Sequence, residues 1–179
     1  MFVLMKRIFL LGYMGTGKTT LGRVLSDITG FTFVDLDCFI EQRYCSSVSQ
    51  LFQLHGEAKF REIEQHILHE VADFEQTIIS CGGGTPCFFD NMDYMNSKGE
   101  TIFLDSSIKV LFDRLKVGKY KRPILKDMND EELMTFIEKS LAARKPFYLK
   151  ANQTFNAELL DNKEQITEAA IRLKEMLNI

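Results

Sequence analysis

Short apolar runs alternate with longer stretches of helical spacing along the 179-residue chain. "RIFLL", Arg7 to Leu11, reads as a buried strand, and Lys18 to Thr29 as a helix stopped by Gly30. Phe31 to Asp35 reads as a second strand. Val48 to Phe74 carries helical spacing with a break expected near Gly56. In it, Leu51, Phe52 and Leu54 with Phe60, Ile63, Ile67 and Leu68 are expected core positions. Thr77 to Cys81 and Thr101 to Leu104 read as the third and fourth strands. A helix from Ser107 to Lys116, a basic loop and a helix from Asp130 to about Lys150 follow, then a short strand in "TFNA" and a last helix. Such alternation predicts an α/β fold: a parallel sheet with helices on both faces, binding its ligand beyond the carboxyl ends of the strands.

Composition narrows the class. A hydrophobic fraction of 45% with 15 phenylalanines is enough for one packed domain over residues 1 to 179, and no repeat or linker divides it. The formal net charge of -3 offers no broad basic field for nucleic acid or an anionic membrane. The apolar start "MFVLMKRIFLL" is broken by Lys6 and Arg7, is too short to span a bilayer and precedes no small-residue cleavage site, so neither a membrane span nor a signal peptide is expected. Cys38, Cys45, Cys81 and Cys87 form no C-x-x-C pair and read as reduced thiols of a cytoplasmic protein. His66 and His69 lack a third ligand nearby and read as helix surface.

Candidate chemistry begins directly after the first strand, in "LLGYMGTGKTT". Gly12, Gly17, Lys18 and Thr19 fit G-x-x-x-x-G-K-[ST], with Gly15 between and a strand before and a helix after. Phosphate oxygens need several N–H donors at close range, and glycines let the backbone curl that tightly at a helix N-terminus. On this reading Lys18 reaches the β- and γ-phosphates, the Thr19 hydroxyl binds Mg²⁺, and Thr16 and Thr20 complete the nucleotide contacts. The bland alternative is an ordinary glycine-rich turn.

Three further stretches stand out. "VDLD" places Asp35 and Asp37 two apart; on a strand both would face one side at the ligand edge, one carboxylate for the magnesium shell and the other for a substrate hydroxyl. Solvated strand-end aspartates, with Asp37 capping a following helix, are the alternative. "SCGGGTP" puts Gly82, Gly83 and Gly84 after a strand, which suits close approach to the backbone but also a plain turn. Arg61 in "GEAKFREIE" opposes the helix dipole near a helix start and is easier to understand facing an anion than as a solvated charge. Arg144 in "AARKPFY" sits beside a proline and two aromatics, a rigid mount for a planar fork suited to a carboxylate.

In order, "GYMGTGKT", "DLD", "GEAKFR", "GGG", "RPIL" and "RKPFY" make the chain resemble the shikimate kinase family over nearly its whole length. The resemblance implies a three-layer α/β/α P-loop fold of nucleoside-monophosphate-kinase type, with a five-stranded parallel sheet in the order 2-3-1-4-5 and a mobile lid. It also implies transfer of the ATP γ-phosphate to the 3-hydroxyl of shikimate, with Mg²⁺, by a monomer. By the same resemblance Asp35 orients magnesium through water and Asp37 accepts the reacting hydroxyl. Arg61 and Arg144 clamp the acid beside Gly82, Gly83 and Gly84. Arg122 belongs to a lid over about residues 115 to 127, and the substrate-binding segment covers about 36 to 64. Arg114 is the nearest candidate for stacking on adenine, Ile124 replaces a leucine of the lid, and "TFNAELLDN" supplies no basic residue after the last strand. Like charges at Lys119, Lys121 and Arg122, beside a pivot at Gly118, favour an open lid until nucleotide binds. A kinase of another polyol acid such as gluconate and a non-catalytic nucleotide binder of the same fold are the alternatives.

Overall fold

A central strand, β1 (Arg7–Leu11), feeds both faces of the sheet. Successive strand side chains point opposite ways, so Phe9 and Leu11 enter one hydrophobic cluster while Ile8 and Leu10 enter another. The computed structural model describes residues 6–119, 122 and 124–179. After β1 come α1 (Lys18–Thr29), β2 (Thr32–Asp35), α2 (Leu36–Tyr44), α3 (Val48–Val71) and β3 (Thr77–Ser80). A single 3₁₀ turn (Thr85–Cys87) then leads to α4 (Asn91–Lys98), β4 (Glu100–Asp105), α5 (Ile108–Gly118), α6 (Asp130–Tyr148), β5 (Gln153–Asn156) and α7 (Lys163–Leu177).

All strand pairs are parallel, in the order β2-β3-β1-β4-β5. Leu21 and Leu25 of α1 and Ala169 and Leu173 of α7 cover one face with Ile8 and Leu10. On the other face Ile40, Phe60, Ile67 and Met95 bring α2, α3 and α4 against Phe9 and Leu11, while Leu111 and Ile137 bring α5 and α6 against Phe103. The three layers and the strand order agree with the expected architecture. Among the described residues no helix is long and apolar enough to cross a membrane.

Helix signals mark their own ends. Gly30 closes α1 in the left-handed region (φ 76°), and Gly56 breaks α3 where the break is expected (φ 76°, ψ 169°). Two expectations fail. Asp37 is not on a strand: β2 ends at Asp35, whose carboxylate caps α2 by accepting from the Cys38 amide, and Asp37 lies in the first turn of that helix. An aspartate at a helix start satisfies one of the amides that the first turn of the helix leaves without a partner. Leu54, two residues before the break, is 73% exposed rather than core. Tyr120, Lys121 and Pro123 of the expected lid lie outside the described residues.

Candidate active site

The loop between β1 and α1 is built for close approach. Gly15 and Gly17 have φ of 85° and 90°, a region that disfavours side chains, and α1 starts immediately beyond. Lys18 Nζ donates to the carbonyls of Gly12 (2.8 Å) and Tyr13 (3.0 Å), which holds the ammonium inside the loop. Burial lowers its pKa to about 8, against the opposing pull of the Asp37 carboxylate. Thr16 faces inward: it is 1% exposed and its hydroxyl donates to the Tyr13 carbonyl at 2.9 Å, so its side chain braces the loop instead of the cleft. A cleft of about 460 Å³ opens above, lined among others by Gly15, Gly17, Lys18, Thr19, Thr20, Asp35, Asp37, Gly82, Gly83, Arg114 and Arg122.

Two carboxylates face this loop. Asp35 Oδ2 accepts from the Thr19 hydroxyl at 2.7 Å while Oδ1 caps α2. That pairs two hard oxygen donors from β2 and α1, a donor set suited to a small divalent cation. Asp37 is half-buried, and burial, then the charges of Glu64 and Asp35, push its pKa up to about 6 despite Lys18. Above that pH it is ionised and can accept a proton; below it, it cannot.

The glycine turn is where distant elements converge. None of Gly82, Gly83 and Gly84 has a positive φ, so their use is space. A Cβ on Gly82 would lie 3.0 Å from Asp37, Glu64 and Thr85, one on Gly83 3.3 Å from Arg144, and one on Gly84 2.7 Å from Arg61. Both arginines expected in the acid clamp therefore meet the same turn. Arg61 is 9% exposed, which removes the solvated-charge alternative; its Nη1 donates to Glu64 (2.8 Å) and its Nη2 to Glu57 (3.2 Å). Arg144, in the next-to-last turn of α6, lies over the Tyr13 ring. One helical turn on, Tyr148 donates to the Gly83 carbonyl at 2.5 Å.

Arg114 lines the cleft, but its guanidinium is tied down: it pairs with Asp161 (2.9 Å) and donates to the carbonyls of Ala157 (3.1 Å) and Glu158 (2.9 Å). Leu160 lines the cleft where the segment after β5 carries no cation. Arg122 is half-buried, and a Cβ on Gly118 would lie 3.1 Å from its Nη1. Lys119 donates to the Met128 carbonyl at 2.9 Å, so its charge is partly satisfied within the expected lid. His69 stacks on Tyr94, and the described residues contain no group of three or more His, Cys, Asp and Glu placed to hold a metal. Glu57, Glu64 and Thr85 join the site without standing out in the sequence. Glu57 and Glu64 were legible as partners four before and three after Arg61 on a helix.

A parallel sheet with this strand order, a phosphate-binding loop at its centre and carboxylates opposite define a P-loop kinase, an ATP-dependent transferase. The family model for shikimate kinase matches residues 14–174. The shikimate kinase of Phocaeicola vulgatus is 53% identical over 174 residues, 97% of this chain and 99% of that one. The crystal structure of shikimate kinase from Bacteroides thetaiotaomicron is similar with a TM-score of 0.95 at 50% identity, covering 97% of this chain and 99% of that one. Shikimate kinase from Acinetobacter baumannii in complex with shikimate gives a TM-score of 0.82 at 28% identity, covering 98% and 94%. The chain belongs to the shikimate kinase family.

Proposed function

We propose that the chain transfers the γ-phosphate of ATP to the 3-hydroxyl of shikimate, giving shikimate 3-phosphate and ADP. The observation that carries this reading is the meeting of Arg61 and Arg144 at one glycine turn, beside a cleft that also holds Asp37 and Lys18. Two guanidiniums suit a carboxylate, and the proton acceptor beside them suits a neighbouring hydroxyl.

In the proposed reaction Arg61 and Arg144 hold the acid against Gly82, Gly83 and Gly84, and the segment of about residues 36 to 64 forms the substrate side. Asp37 accepts the hydroxyl proton as the oxygen attacks phosphorus in line. The amides of the glycine loop and Lys18 steady the phosphates. Arg122, carried on a lid of about residues 115 to 127, meets the charge on the transferring group. Mg²⁺ fits the Thr19–Asp35 oxygen pair, held by the Thr19 hydroxyl with Asp35 acting through water; when bound it neutralises phosphate charge. A cytoplasmic setting is part of the same proposal, supported by four unpaired cysteines.

Coupled measurement of ADP release with and without shikimate tests the proposal. Release that rises by orders of magnitude with shikimate is the expected result; release indifferent to shikimate would overturn it.

A further inference from the structure

Arg61 is held from several sides. Its Nη1 and Nη2 donate to Glu64 and Glu57, its Nε is buried without a hydrogen-bond partner, and the Phe88 ring lies 4.1 Å from the guanidinium carbon. Glu64 is 1% exposed and its two oxygens are split: Oε2 accepts from Arg61 at 2.8 Å, and Oε1 accepts from the Thr85 hydroxyl at 2.5 Å.

Thr85 is itself preset. It is fully buried, its amide donates to the Gly82 carbonyl at 3.1 Å, and its carbonyl accepts from Asn91 Nδ2 at 2.9 Å. The hydroxyl therefore arrives at Glu64 from a fixed backbone.

That division of Glu64 has a chemical consequence. A carboxylate beside a guanidinium gains most by a two-pronged pair, which uses two parallel N–H donors at once. With Oε1 committed to Thr85, Glu64 takes one donor of Arg61. Of the five N–H donors of a guanidinium, Nη2 gives one to Glu57 and Nε is buried, so one N–H on each of Nη1 and Nη2 stays available to an incoming acid.

Resting on the function proposed above, we infer that Thr85 is a positioning residue for the substrate's carboxylate: by occupying one oxygen of Glu64 it keeps Glu64 from claiming the fork of Arg61. Removing the hydroxyl lets Glu64 turn both oxygens onto Arg61, and the substrate's carboxylate then competes with an internal one. The Phe88 ring and the tight space at Gly84 restrict the guanidinium from swinging to a new position.

The test compares the wild type with Thr85→Val and Thr85→Ser, at saturating ATP, on shikimate and on its methyl ester. Thr85→Val is expected to raise the KM for shikimate about tenfold, the order of one hydrogen bond to a charged group. The kcat and the KM for ATP should stay within about twofold of wild type, because the phosphate loop and Asp37 are untouched. The preference for acid over ester, as a ratio of kcat/KM, should shrink about fivefold or more, since the ester has no charge for the fork to grip. Thr85→Ser, which restores the hydroxyl, should return both values to near wild type. A general packing defect would depress acid and ester alike and would not be cured by serine.

Equal losses on acid and ester, an unchanged KM, or a serine variant as poor as valine would each overturn the inference while leaving the proposed function standing. A wild type without shikimate-dependent ADP release overturns both. If Thr85→Val does not fold, Thr85→Ala removes the same donor under the same criteria.

Discussion

The two halves of the proposed site are made in different ways. The phosphate half is one contiguous stretch, Gly12 to Thr20, whose working parts are main-chain amides, one lysine and one threonine hydroxyl. The acid half draws Asp37 from α2, Arg61 and Glu64 from α3, Gly82 to Gly84 from the turn after β3, and Arg144 and Tyr148 from α6. The first half needs local backbone geometry and a helix start. The second exists only once four elements pack, and buried ion pairs such as Arg61–Glu64 hold it in register. Substitutions in the phosphate half should therefore strike the chemical step, and those in the acid half the binding of one substrate.

The largest expected effect lies in the phosphate half. Lys18→Ala should nearly abolish turnover with the fold intact, because the ammonium is needed most as the γ-phosphate departs. Steady-state kinetics retaining more than about a tenth of wild-type kcat would contradict this, since tenfold is only about 1.36 kcal/mol. Arg122→Ala should lower kcat at least about 10²-fold, below the full worth of an arginine finger because Lys119 lies nearby. A fall under about fivefold would make the segment a basic turn and remove it from the comparison.

On the acid side the expectation reverses. Arg144→Lys keeps the charge and loses the fork, so the KM for shikimate should rise about tenfold while that for ATP barely moves. An equal rise in both would place Arg144 outside the acid half. The smallest effect is a pH shift. In the proposed reaction Asp37 works as a carboxylate, so kcat/KM for shikimate should fall as pH drops through about 6, a pKa raised by burial and then by Glu64 and Asp35. Glu64→Gln removes one raising charge, and the acid limb of kcat/KM should move to lower pH. A limb that stays put or moves upward would uncouple Glu64 from Asp37.

The same contrast explains what could be read in the chain before folding. The strands, α1 with its Gly30 stop and the glycine loop were legible because each follows from neighbours in sequence, whereas the strand order came only with the family resemblance. "VDLD" misled because period-two spacing extends a strand past Asp35, whereas the Asp35 carboxylate ends it by capping α2. Leu54 misled because helical spacing carries the core face up to the expected break, whereas the chain on either side of Gly56, residues 53 to 59, lies in solvent. α4 went unseen since "NMDYMNSK" buries only Met92 and Met95 among its apolar side chains. Arg61 and Arg144 could be noticed singly from their own neighbours; that both reach one glycine turn was implied only by the family resemblance, because the three segments are far apart in the chain. Thr85 left no signal at all, because its partner Glu64 is 21 residues away.

Side-by-side measurement of kcat/KM for shikimate and gluconate, at saturating ATP, tests most directly whether the acid half selects the substrate. The expected result is a preference for shikimate of about 10³-fold or more, because an open-chain acid seated by its carboxylate on Arg61 and Arg144 does not hold a hydroxyl fixed at Asp37. Comparable values for the two acids would contradict it.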